Sequence, residues 1–130
     1  MLVAALQRCE RRAIDDTLIS GILDDQPMAD LADSIGTNGV KQVYTLYLAD
    51  AEKLLARMQN GVRSGERATV VDSAHQLKAT SGSVGATQVA KKSAEFEQFA
   101  RSGAPAEWEA LRQGVESAFR LVEIELKRRL

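Results

Sequence analysis

The apolar residues of this chain recur every three or four positions, and this spacing constrains the fold more than any other feature of the sequence. Between residues 39 and 59 they form one stripe, made of Val40, Tyr44, Tyr47, Leu48, Ala51, Leu54, Leu55 and Met58. Such spacing is typical of one face of an α-helix. Runs that alternate apolar and polar residues are missing, and proline occurs only twice. The sequence therefore predicts an all-α protein.

Glycine and proline divide the chain into six predicted helices. They cover about residues 2–23, 28–35, 39–59, 66–84, 86–101 and 105–126, with stops at Gly36, Asn60-Gly61, Gly85 and Ser102-Gly103. Pro27 and Pro105 suit the first turn of the helices that they open. Residues 37–39 are expected to form a loop in which Thr37 or Asn38 caps the next helix.

Short connections join the last four helices, which are expected to pack as an antiparallel four-helix bundle. Residues 26–130 would form this bundle, and residues 1–25 would add an N-terminal helix or a linker. With 130 residues, the chain is expected to be a single domain.

Composition and charge exclude several classes of function. The formal net charge of −1 leaves no basic excess for the phosphates of a nucleic acid. No apolar run approaches the roughly 20 residues that cross a bilayer, and residues 1–15 become charged too early for a secretory signal. A cytoplasmic protein without nucleic-acid or membrane partners is expected.

The single cysteine, Cys9, cannot form an internal disulfide, and neither Cys9 nor His75 has a companion at a metal-binding spacing. No metal site is therefore expected. A nucleophilic pair of Cys9 and His75 is formally possible but has no further support in the sequence.

The only histidine, His75, lies in the predicted helix 66–84. The positions of this helix that should face the protein core are Val70, Ala74, Leu77, Ser81 and Val84. At about 100° per residue, His75 points about 140° away from the middle of that stripe. His75 is therefore expected to face water.

The residues that share a face with His75 are unusually small or apolar for a surface: Ala68, Val71, Ala79, Gly82 and Ala86. Lys78 lies one helical turn away. An exposed imidazole is a nucleophile near neutral pH, a nearby cation balances charge that it gains, and the lack of bulk lets another protein approach. An ordinary surface histidine beside a solvated lysine is the simpler alternative.

Residues 74–97, AHQLKATSGSVGATQVAKKSAEFE, resemble the signature of histidine-containing phosphotransfer (HPt) domains of two-component phosphorelays. The matching positions are Ala74, His75, Leu77, Lys78, Val84, Gly85, Ala86 and Phe96-Glu97. The order of helices is also similar over about residues 28–126. Ala79 departs from the pattern, because the family usually has glycine after the lysine. The extra methyl group is expected to restrict the approach of a partner without abolishing function.

The resemblance implies a role for each matched residue. His75 would be the phosphoacceptor, Lys78 would favour the charge of the phosphoryl group, Gly85 would mark a bend and Glu97 would lie near the histidine. The chain would take a phosphoryl group from the aspartyl phosphate of a response-regulator receiver domain and pass it to another receiver, reversibly.

The same resemblance implies the partners and the cofactor. Receiver domains, including one carried by a hybrid sensor histidine kinase, are the expected partners of a monomeric chain. The receiver would bring Mg²⁺, and this chain would need no cofactor of its own.

A receiver is expected to dock on Ala68, Val71, Ala79 and Gly82. Lys91 and Lys92 would lie at the rim of this surface, unless they are ordinary solvated lysines.

No nucleotide-binding motif is present, so no autonomous kinase activity is expected. Two alternatives stay open: a helical module that docks a receiver or kinase without carrying phosphate, and a purely structural helical domain.

Overall fold

A computed structural model describes residues 23–130 as a bundle of four α-helices. Helix α1 spans Gln26–Ser64, α2 spans Arg67–Val84, α3 spans Thr87–Ala100 and α4 spans Trp108–Arg129, with a 3₁₀ turn at Pro105–Glu107 before α4. No strand occurs in this range, which confirms the predicted all-α class. Most of the expected N-terminal helix or linker at residues 1–25 lies outside the described residues, and so does Cys9.

Each helix packs against the next one in the chain, and α4 closes the bundle against α1. Side-chain pairs between α1 and α2 run in opposite directions: Tyr47 meets Ser81, and Arg57 meets Asp72. This antiparallel order follows from the short turns, which leave the chain no room to run back before the next helix begins. Within residues 23–130, no helix has the length and apolar character needed to cross a membrane.

Residues 28–35 and 39–59 were predicted as two helices, and α1 covers both of them with a kink at the predicted stop, Gly36. Pro27 lies in the first turn as expected, but the expected loop at residues 37–39 is helical. The only non-helical residue inside α1 is Gly36, with φ 74° and ψ 174°. One glycine therefore provides the break, and the caps predicted at Thr37 and Asn38 are wrong.

The end of α1 was predicted too early. The helix continues past Gly61 to Ser64, and Gly65 takes the left-handed conformation that ends it. Gly61 is buried, and a Cβ at this position would lie 3.0 Å from Cγ2 of Val70. Gly61 therefore allows α1 and α2 to pack closely and does not act as a stop.

The core is formed by the faces that the periodicity indicated. All five predicted core positions of α2 are buried, and the apolar spacing of α3 likewise buries Val89, Phe96 and Ala100. The buried apolar residues of α4 are Trp108, Val115, Ala118, Phe119, Val122 and Leu126, and Leu111 beside them is half-buried. One polar contact crosses this core, where the hydroxyl groups of Tyr47 and Ser81 lie 2.8 Å apart. Burial raises the pKa of Tyr47 to about 12, although the hydrogen bond with Ser81 partly opposes this effect.

The turn between α2 and α3 fixes how these two helices meet. Gly85 ends α2 with φ 85°, and a side chain there would overlap the carbonyl oxygen of Asp24. The amide of Asp24 donates a hydrogen bond of 2.7 Å to the carbonyl of Gly85. The bend predicted at Gly85 is confirmed, because only glycine fits this conformation and this contact.

Candidate functional site

His75 projects from the solvent-facing side of α2. Its side chain is 56% exposed, whereas Ala74 and Leu77 on the opposite side are fully buried. The prediction that His75 faces water is confirmed. Because α2 packs against both α1 and α3, the backbone that carries this imidazole is held on two sides.

Glu97 of α3 anchors one nitrogen of the imidazole. The His75 Nδ1 atom lies 3.1 Å from Oε2 and 3.2 Å from Oε1 of Glu97. An ionised carboxylate can only accept hydrogen bonds, so Nδ1 is the donor and carries the proton. In the neutral ring, the lone pair is then on Nε2. The contact therefore selects Nε2 as the nucleophilic atom.

The carboxylate of Glu97 remains ionised although its side chain is only 7% exposed. Burial by itself would raise its pKa. Hydrogen bonds from Arg101, Lys78 and His75 outweigh burial and lower the pKa of Glu97 from 4.5 to about 2. At neutral pH the site therefore holds a fixed negative charge behind the ring.

Lys78 lies beside the same carboxylate. Its Nζ atom is 3.2 Å from Oε1 of Glu97, and its side chain is 39% exposed. His75 and Lys78 are three residues apart on α2, so their side chains are neighbours on the helix surface. The structure thus brings together His75 and Lys78, the two residues expected to carry the chemistry, and Glu97, which the family resemblance placed near the histidine.

The surface around the imidazole is open on α2. Ala68, Ala79 and Gly82 are exposed, and a Cβ placed on Gly82 would meet no atom within 4 Å. Val71 is half-buried and packs against the core. Four of the five small or apolar residues therefore lie where a partner could reach them.

The assignment of Ala86 to this surface is wrong. Ala86 is fully buried, because α2 ends at Val84 and the left-handed Gly85 turns the chain into the bundle. The helical wheel that placed Ala86 beside His75 does not extend past that turn.

Arg101 was missed by the sequence reasoning. Its guanidinium group donates a hydrogen bond of 2.7 Å to Oε2 of Glu97, one turn earlier on α3. The i,i+4 spacing from Glu97 was the available signal. It became informative only once α3 was known to place Glu97 against His75.

Two alanines of α3 were also missed. Ala90 and Ala94 are half-buried and share the helical stripe of Glu97, at i−7 and i−3. They extend the small-residue surface from α2 onto α3. Small side chains therefore lie beside Glu97 on α3 as well as beside His75 on α2.

The two lysines proposed for the rim lie farther around α3. Both are exposed, and Lys92 is 3.9 Å from Glu95. Counting about 100° per residue, Lys91 and Lys92 are about 120° and 140° from Glu97. They are outside the charged cluster at His75, and their role at the rim stays a prediction.

A second polar group borders the histidine on the side of α1. Asp72 accepts hydrogen bonds from Arg57 at 2.9 Å and from Gln76 at 2.8 Å. All three side chains are exposed, so the ion pair stabilises the fold little. Across the described residues, no group of three or more His, Cys, Asp or Glu side chains is placed to hold a metal ion.

The fold and the site define a class of protein: a helical bundle that exposes one histidine, anchored through Nδ1, on a surface without bulk. Comparison with known proteins identifies the family. Residues 42–128 match the model of the Hpt domain. The chain belongs to the Hpt domain family, whose members are phosphorelay intermediates.

Individual relatives agree with this assignment. The chain is 34% identical over 106 residues to histidine-containing phosphotransfer protein 1 of Oryza sativa subsp. japonica, covering 76% of this chain and 70% of that protein. The crystal structure of histidine-containing phosphotransfer protein B from Pseudomonas aeruginosa is similar with a TM-score of 0.77 at 26% identity, over 82% of this chain and 91% of that one. A maize phosphotransfer protein shares the fold with a TM-score of 0.72 at 24% identity, over 90% and 96% of the two chains.

Proposed function

We propose that His75 accepts a phosphoryl group from the aspartyl phosphate of a response-regulator receiver domain and passes it to another receiver. The observation that carries this proposal is the exposed ring of His75, held through Nδ1 by the buried carboxylate of Glu97. This arrangement leaves Nε2 free at a surface that a second protein can cover.

The transfer of the phosphoryl group involves only the imidazole of His75 and the aspartate of the receiver as reacting groups. As Nε2 bonds to phosphorus, the bond from phosphorus to the aspartyl oxygen breaks, and the receiver's carboxylate leaves with that electron pair. The ring keeps its Nδ1 proton and gains positive charge, which faces the carboxylate of Glu97. Transfer to a second receiver is the same reaction in reverse, with the carboxylate of that receiver as nucleophile.

Lys78 would favour the charge of the phosphoryl group. Its ammonium group is beside Glu97 and one turn from His75, so a phosphoryl group on the ring would lie within its reach. Phosphoryl transfer depends mainly on positioning and charge stabilisation, which suits a site with one nucleophile and one nearby cation.

The remaining needs of the reaction would come from the receiver. Mg²⁺ and a further lysine would be supplied by that domain, and this chain would act without a cofactor of its own. A receiver, either free or within a hybrid sensor histidine kinase, would dock on the surface formed by Ala68, Val71, Ala79 and Gly82. The protein would act as a cytoplasmic monomer.

The experiment is a transfer assay with a receiver labelled on its aspartate with ³²P-phosphate. The wild-type chain should take up label that is labile to acid and stable to alkali, as phosphohistidine is. His75→Gln should take up none while keeping its circular dichroism spectrum, because the side chain faces water. Uptake of label by His75→Gln, or none by the wild type from any active receiver, would contradict the proposal.

A further inference from the structure

Glu97 is contacted by three hydrogen-bond donors, and two of them, Arg101 and Lys78, are cations. Its two carboxylate oxygens meet the guanidinium group of Arg101 at 2.7 Å, Lys78 Nζ at 3.2 Å and His75 Nδ1 at 3.1 Å. Arg101 makes the shortest of these contacts. It is the C-cap residue of α3, four residues after Glu97 in the chain, whereas the other two donors lie on α2. It therefore restrains the carboxylate independently of any movement on α2.

Phosphorylation of His75 would change the surroundings of the two donors on α2, His75 and Lys78. A phosphoryl group on Nε2 of His75 would carry about two negative charges and would compete with Glu97 for the ammonium group of Lys78. Arg101 is then the cation that stays with the buried carboxylate. Without it, a nearly buried anion would lose its fixed partner at the moment when the ring needs that anion in place.

We propose that Arg101 is a positioning residue of the phosphotransfer site, which holds the Glu97 carboxylate against Nδ1 of His75 before and after the phosphoryl group arrives. The inference rests on the function proposed above. Arg101 does not touch the reacting atoms. It acts through Glu97 by keeping the proton on Nδ1 and the lone pair on Nε2.

Two measurements test this role. The chain contains a single histidine, so the ring signals in ¹⁵N nuclear magnetic resonance spectra belong to His75 without ambiguity. In the wild type, the neutral ring should carry its proton on Nδ1. Arg101→Ala should shift the ring toward the form protonated on Nε2 and slow uptake of phosphate about fivefold, which equals about 1 kcal/mol.

Three further variants make the result specific. Arg101→Lys should restore most of the rate and of the ring signal, because it keeps a cation at the same place. Arg101→Gln is a second neutral variant and should behave as Arg101→Ala does. Arg128→Ala is the matched control, since Arg128 is an exposed arginine paired at 2.7 Å with a buried glutamate, Glu125, on another helix. It should match the wild type in both measurements.

The inference is overturned if both neutral variants keep the wild-type ring signal, whether or not the rate falls, because a slower rate alone would indicate a docking role. It is also overturned if Arg101→Lys is as defective as Arg101→Ala. Failure of the wild type to accept phosphate from any receiver would refute the proposed function instead, and the ring signals would still decide the role of Arg101.

Discussion

Replacing Glu97 by glutamine tests the electrostatics of the site through the stability of the fold. Glutamine keeps the shape of the side chain and removes its charge. In the native protein, the pKa of Glu97 is lowered to about 2, since the hydrogen bonds from Arg101, Lys78 and His75 outweigh the effect of burial. The free energy of unfolding must therefore depend on pH through this group.

The sign follows from proton binding. A carboxyl group with an ordinary pKa of 4.5 in the unfolded chain takes up a proton there at a higher pH than it does in the folded protein. The stabilisation from Glu97 is therefore fully present above about pH 5. It is lost progressively as the pH falls through about 2, the pKa in the folded protein, and is gone by about pH 1.

The shift in the pKa of Glu97 also sets an upper limit on how much its charge stabilises the fold. A lowering from 4.5 to about 2 corresponds to about 3 kcal/mol at 1.36 kcal/mol per pKa unit. The three donors have side chains that are 39% to 56% exposed, so solvent screens their interaction with Glu97. We expect about 1–2 kcal/mol to remain after screening.

The assay is urea unfolding followed by circular dichroism from pH 7 down to pH 2. Glu97→Gln should be less stable than the wild type by about 1–2 kcal/mol above pH 5, and the difference should shrink toward pH 2. Equal stabilities at pH 7, or a difference that does not change with pH, would refute the reasoning.

Glu125→Gln separates stability from function. Glu125 is also nearly buried, and hydrogen bonds from Arg128 and Arg129 lower its pKa. This variant should likewise weaken the dependence of stability on pH below pH 5. It should accept phosphate at the wild-type rate, because Glu125 lies on α4 and contacts none of the groups around His75.

Three further predictions concern the site and the turn behind it. Lys78→Ala should slow phosphate uptake about tenfold in a transfer assay without abolishing it, because one charge-assisted contact is lost; an unchanged rate would remove its role. Ala79→Gly should raise the rate of uptake from a receiver a few-fold while lowering stability by about 1 kcal/mol, and a slower rate would show that the methyl group does not obstruct docking. Gly85→Ala should lower the free energy of unfolding by at least about 2 kcal/mol in urea, because the backbone at this position has φ 85° and a Cβ there would overlap the carbonyl oxygen of Asp24; a stable variant would contradict that geometry.

The sequence was sufficient for features that depend on local helix geometry. The outward direction of His75 and the buried face of α2 follow from 3.6 residues per turn, with no knowledge of other helices. The open position at Gly82 and the contact of Glu97 with His75 are also as expected. The latter expectation came from the resemblance to a known family, since periodicity alone does not align two helices.

Features that depend on packing between helices could not be predicted from the spacing of residues along one helix. Asn60-Gly61 is typical of a helix end, but α1 continues through Gly61 to Ser64, and the glycine is needed because a Cβ there would lie 3.0 Å from Val70 of the next helix. Ala86 was assigned to a helix face that ends two residues before it. Arg101 has a role only once α3 is aligned with α2, and this alignment depends on the turn at Gly85.

The claim on which the account depends is that the fold presents Nε2 of His75, and no other atom, to an incoming phosphoryl group. The most direct measurement is a ³¹P and ¹⁵N nuclear magnetic resonance spectrum of the protein labelled with ¹⁵N and phosphorylated by a receiver. We predict a phosphorus–nitrogen coupling to Nε2 of His75, with the proton retained on Nδ1. Phosphorus on Nδ1, or on a residue other than His75, would contradict the account.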